Sequence, residues 1–235
     1  MSRPDSRTIW IALVLALAAC EAQPERPANA DILAARQAAL SFEVRLKREI
    51  INRVTREEDP VAVYLAYADN VSGWGKEISD AAKFEFSRTA LGVRNPANAP
   101  DDWERRQMEL FNLMADEGQD PETFEAAEIV QEGDAKVFRW LRPMAMGEAC
   151  MACHGEKIDS RIKLLLAQEY PLDEAAGYSE GQLGGAYSVR KVLSVGGKPP
   201  PAYAPQPIAP RLPADVRQPG GAPLVEPALP PDPAR

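Results

Sequence analysis

The chain has 235 residues, 27 of them basic and 35 acidic, for a formal net charge of −8. An acidic balance without a basic run argues against nucleic acid as a partner, because phosphate binding requires clustered Lys and Arg. With three cysteines and one histidine in all, any metal bound through these residue types has few candidates.

The first segment, "MSRPDSRTIWIALVLALAAC", places Arg3 and Arg7 ahead of an apolar run from Ile9 to Ala19. That is the layout of an export signal, and the run is short for a bilayer span. It ends in Leu17-Ala18-Ala19-Cys20, which resembles the lipobox of bacterial lipoproteins. The resemblance implies a lipid on Cys20, cleavage before it, and a domain held at a membrane surface by several acyl chains. The alternative is an ordinary cleaved signal with a chance cysteine. The expected product is a periplasm-facing lipoprotein, exported across the inner membrane of a Gram-negative bacterium. Removing residues 1–19 takes away Arg3, Arg7 and Asp5, so 25 basic against 34 acidic residues leave −9.

Residues 20–30 read as a tether and 31–195 as one domain of ordinary size. Asp31 to Asp59 carries Ile32, Leu33, Leu40, Val44, Leu46, Ile50, Ile51 and Val54 at helical intervals, which predicts a long amphipathic helix. Pro60 suits the first turn of a second helix, with Ser72 to Gly75 expected to break or kink it. Phe84 and Phe86 alternate with Glu85 and Ser87 as a half-buried strand, and "RNPANAP" (94–100) is a loop. Asp101 and Glu104 have capping-box spacing, opening a helix to about Met114. A hairpin follows, 124–130 and 136–142, its second strand alternating Val137, Arg139 and Leu141 with Phe138 and Trp140. Asp159 or Ser160 caps a helix to Gln168, and 184–193 is the last strand. The order predicts an α+β domain, a mainly antiparallel sheet with helices on one side. Residues 196–235 are a Pro-rich tail, with 13 of the 22 prolines in 199–235; it reads as disordered or polyproline-like, a spacer or a partner segment.

The chemistry lies in Cys150-Met151-Ala152-Cys153-His154, the C-x-x-C-H pattern of c-type haem attachment. Two thiols at this spacing can each add across one haem vinyl group, and the next side chain then lies under the iron. A histidine there offers a neutral imidazole nitrogen as proximal ligand. A zinc site needs a fourth ligand that the chain outside Cys20 lacks. A thioredoxin-like pair wants a βαβ context, and a plain disulfide leaves His154 unexplained. One such motif means one covalently attached haem c.

Three stretches resemble a known family: "SRTALGVRNPANAPDDWE" (87–104), "FRWLRPMAMGEACMACHG" (138–155) and "YPLDEAAGYSEGQLGGAYSV" (170–189). The family is the single-haem, PAS-like c-type haem domain, found as an exported protein and as the input domain of some bacterial sensor kinases. With the preceding helices the resemblance covers about 31–193. It implies a PAS-like antiparallel sheet, a long N-terminal helix and further helices packed around one haem, and it implies sensing or redox chemistry. The family commonly has a cysteine in the second helix, in a pattern like Ala-Ile-x-x-Cys, whose sulfur takes the sixth iron position. Counted back from "KEIS" (76–79), that position holds Tyr67, so Cys/His ligation does not carry over. An open or water-held site, Tyr67, and a methionine (Met144 or Met146) remain as alternatives; Met108 and Met114 read as core. Arg94 and Asn95 either meet the haem propionates or form only a tight turn. Two functions compete, a membrane-tethered redox or small-ligand sensor and an electron carrier serving a separate redox or signalling protein. A haem peroxidase ranks last, for want of a second histidine as distal acid–base group.

Overall fold

The structure, a computed structural model, describes residues 25–56 and 58–204. Cys20 and the tail beyond Ala204 lie outside the described residues. The elements are α1 (Asn29–Leu46), a π-helical turn (Lys47–Ile51), α2 (Asn52–Thr55), α3 (Pro60–Ala82), β1 (Glu85–Thr89), α4 (Asp102–Asp116), β2 (Ala126–Glu132), β3 (Ala135–Ala145), α5 (Met151–His154), α6 (Ser160–Glu169) and β4 (Leu183–Val195). The four strands form one antiparallel sheet in the order β1-β4-β3-β2. Among the described residues no helix is long and apolar enough to cross a membrane.

Local chemistry sets the element ends. Asp101 accepts from the Glu104 amide (2.8 Å) and Glu104 accepts from the Asp101 amide (3.0 Å), a complete capping box at the start of α4. Asp159 caps α6 by accepting from the Arg161 amide (2.8 Å). Asp59 caps α3 by accepting from the Ala62 amide (3.2 Å), with Pro60 in the first turn, where its missing N–H costs nothing. The expected break at Ser72–Gly75 does not occur, and α3 runs unbroken through both glycines. Trp74, only 3% exposed, sits in the core between them, and its burial outweighs the helix penalty of roughly 1 kcal/mol for each glycine.

Two expectations are corrected by the packing. Helices cover both faces of the sheet, not one. On one face Phe86, Phe138, Trp140, Tyr187 and Val189 meet α1 and α3 through Phe42 and Trp74. On the other, Leu141 and Ala186 meet Trp103, Met108 and Phe111 of α4. Both alternating rows of β3 are therefore buried, a pattern in which sequence alternation does not mark an exposed side. The face that α1 buries differs in part: Ile32 and Leu46 pack against this core as expected, but Ala35, Ala38, Ala39 and Phe42 are its fully buried residues, while Leu33, Leu40 and Val44 are more than half exposed. Small residues let this helix approach the sheet closely.

The pairing of β4 with β3 is irregular at Met144/Ala145. Gly185 adopts φ +152° there, and a Cβ on it would lie 2.5 Å from the Thr89 carbonyl oxygen. Gly185→Ala is therefore expected to cost about 1–3 kcal/mol, read as a lower urea midpoint with an unchanged slope.

Candidate functional site

Three remote loops converge on one histidine. His154 ends the single turn α5, and its Nδ1 lies 2.7 Å from the Ala175 carbonyl oxygen. A carbonyl can only accept, so Nδ1 carries the proton and Nε2 keeps its lone pair. The Tyr178 amide donates to the His154 carbonyl (2.9 Å) and the Gly177 amide to the Gly155 carbonyl (3.2 Å). The Tyr178 ring stands edge-on to the imidazole, 6.4 Å away. Burial, and after it the Arg94 charge, lower the His154 pKa to about 4, so the ring is neutral at physiological pH.

Arg94 ties the loops together. Its Nε donates to Asp173 (3.0 Å), and one terminal nitrogen donates to the carbonyls of Cys153 (2.8 Å) and Ala175 (3.1 Å). Asp173 in turn accepts from the Ala175 amide (2.8 Å), which holds in place the carbonyl facing His154. Asn95 caps a 3-10 turn (Pro96–Asn98) by accepting from the Ala97 amide (3.0 Å). The turn role is thus present for Asn95, while Arg94 bridges distant loops and its charge is met within the chain by Asp173.

Cys150 and Cys153 are free thiols. Burial raises the Cys153 pKa against the opposing Arg94 charge; reactive thiols of redox pairs have theirs lowered. Cys153 packs in a cluster with Tyr64, Ile158, Ile162 and Leu166. Beside it opens a cleft of about 280 Å³ lined by Val54, Glu58, Pro60, Val63 and Ile162. The Tyr64 hydroxyl donates to Glu169, which fastens α3 to α6. Among the described residues no group of three or more His, Cys, Asp or Glu gathers as a metal site.

Tyr67, on α3, packs against the cluster under the sheet with its ring 6.5 Å from that of Trp74. Its hydroxyl accepts from Arg88. Met144 and Met146 lie against Gly185 and Gly184, and Met108 is core under α4. The site thus brings together Cys150, Cys153, His154 and Arg94, with Tyr67 reached through Arg88.

Sequence reasoning missed Arg88 and the carbonyl of Ala175. A signal for the first existed: continued by one step, the alternation of Phe84 and Phe86 puts Arg88 on the buried face of β1, where an apolar residue is expected. The second had none, because every residue carries a carbonyl.

The donor set fits the prosthetic group that the C-x-x-C-H pattern implies: two unbridged thiols, then a neutral imidazole with one nitrogen fixed by a backbone carbonyl, the usual arrangement of a metal-bound histidine. Fold and site define a class, an α+β domain that half-buries a single Cys-x-x-Cys-His turn beside an antiparallel sheet. The sequence model of the family described as Tll0287-like matches residues 22–191, and the chain belongs to that family. Its fold is similar to the crystal structure of the cyanobacterial heme-protein Tll0287, with a TM-score of 0.53 and 23% identity over 72% of this chain and 99% of that one. No curated protein matches the chain.

Proposed function

We propose that the chain is an exported monohaem protein of c type, anchored by a lipid on Cys20, that acts as a redox or small-ligand sensor for a separate periplasmic or membrane partner. The observation that carries the haem reading is His154, neutral and held through Nδ1 by the Ala175 carbonyl, one residue after a free thiol. Cys150 and Cys153 would each add S–H across one vinyl group, forming a thioether with no oxidant required. His154 would present Nε2 to the iron, and Ala175 and Arg94 would keep the imidazole from turning. A bound haem would supply a one-electron ferric/ferrous couple and a site for a small ligand.

The sensor reading is favoured over electron transfer by Tyr67. Its hydroxyl is engaged by Arg88, and a phenol oxygen is a hard donor that suits ferric rather than ferrous iron. The ferrous site is then expected to be open. The test is the mature chain exported with haem-attachment machinery, its optical spectrum recorded reduced, before and after carbon monoxide. The expected result is covalent haem, a high-spin ferrous spectrum, and a complete shift with the gas. A low-spin ferrous spectrum that the gas leaves unchanged would overturn the sensor reading in favour of an electron carrier.

A further inference from the structure

We propose that Arg88, seconded by Arg142, is the seat of the haem carboxylates; this rests on the haem reading above. The Cys-x-x-Cys spacing ties the vinyl groups of the macrocycle, so its two propionates must find partners elsewhere. A carboxylate entering a half-buried site is costly unless a cation meets it. Arg94 is a poor candidate, because Asp173 already neutralises it and two carbonyls share its donors.

Arg88 differs on each count. It is half-buried on β1, and among the described residues its side chain's only hydrogen bond goes to the uncharged Tyr67 hydroxyl, with no carboxylate in ion-pair contact. Its guanidinium lies over the rings of Phe42 (5.0 Å) and Tyr67 (5.7 Å), which fixes its plane and leaves its remaining donors for a planar, two-oxygen partner. It lies on β1, the strand that leads into the loop whose Arg94 bonds the carbonyls of Cys153 and Ala175 beside His154.

A second cation completes the pattern. Arg88 on β1 and Arg142 on β3 both pair with Tyr187 on β4, so the three side chains form one row on one face of the sheet. The two outer strands of such a row are about 10 Å apart. Two arginines flanking a tyrosine hydroxyl match a ligand with two separate carboxylates. Arg142 has weaker claims, since Glu43 and Glu125 lie within reach of its charge.

The test is the midpoint potential of the haem-loaded chain against pH, for the parent, Arg88→Met, Arg88→Lys and Arg142→Met. A cation beside a carboxyl lowers its pKa by about 1–3 units. Without the Arg88 charge the propionates titrate higher, so the pH-dependent bend in potential should move up by about one unit or more in Arg88→Met. It should move less in Arg88→Lys and Arg142→Met. A purely structural role would change haem yield or melting temperature without moving this bend. Superimposable curves for all the haem-loaded chains would overturn the assignment while leaving the haem reading intact. A parent chain that carries no haem would instead overturn the haem reading, and this inference with it. If Arg88→Met fails to accumulate, the other two variants decide the matter.

Discussion

Exported with both motif cysteines changed to serine, the chain is expected to carry no covalent haem. A denaturing gel stained for haem should show a band for the parent and none for the double variant, and the mass should fall by one haem. Single variants at Cys150 or Cys153 should each keep one thioether and so retain staining at reduced yield. His154→Ala separates attachment from ligation: the thiols remain, so covalent haem should persist, but the imidazole is gone and the ferric and ferrous spectra should both change. Haem retained by the double serine variant through denaturation would refute covalent attachment at these positions. Arg94→Lys supplies a finer control. Lysine can neutralise Asp173, but its point charge cannot hold Asp173 and two carbonyls in one plane.

The three stretches that carry the family resemblance are far apart in sequence and meet at one point in the fold. Arg94 comes from the first, Cys153 and His154 from the second, and Asp173, Ala175 and Tyr178 from the third. The middle stretch holds the groups that would bind the iron and the vinyl groups, and the loops of the outer two hold those groups still. The long loop before β4 is thus a bracket for the imidazole, and Arg94 is its fastening.

How much of this could be read beforehand depended on where the information lies. The Cys-x-x-Cys-His turn, the capping box at Asp101 and the hairpin 124–142 are local, set by spacing along the chain. The role of Arg94 is not local. The sequence shows a cation beside a Pro turn, and only the fold shows that Asp173, 79 residues on, has taken its charge. The buried side of α1 was legible only in part: Ile32 and Leu46 pack inward, but Leu33, Leu40 and Val44 lie on the outer side while alanines make the close contact with the sheet. Helices on both faces were missed because β3 is buried on both, which erases the period-two contrast that a one-sided sheet displays.

The largest effect on stability is expected away from the Cys-x-x-Cys-His turn, at Arg139. Its residue is 3% exposed, and it is bracketed by Asp101 (2.6 Å), Glu104 (3.4 Å) and Glu132 (3.0 Å). The Trp103 ring lies 4.9 Å from its guanidinium carbon. It also sits in a row that crosses all four strands, Glu85, Arg190, Arg139 and Glu128. Burial alone would raise the Asp101 carboxyl, but the Glu104 amide and then Arg139 bring it below its ordinary value. At Glu132 burial is likewise outweighed, by Arg190 and Arg139. A carboxyl whose folded pKa is depressed adds stability that is present above its unfolded pKa, near 4, and lost as pH falls through the folded value. The parent should therefore weaken below about pH 4. Arg139→Met removes the shared cation and leaves Asp101 and Glu104 facing each other without it, Glu132 keeping Arg190, at a cost of about 3–5 kcal/mol at neutral pH. In a domain of this size that is a fall of roughly 6–20 °C in melting temperature. Because the damage is charge repulsion, the variant should recover part of the deficit as pH is lowered from 7 toward 4, while the parent gains nothing. Melting curves of both proteins across that range decide it. A deficit that stays constant with pH would mean that Arg139 acts only through its packing against Trp103.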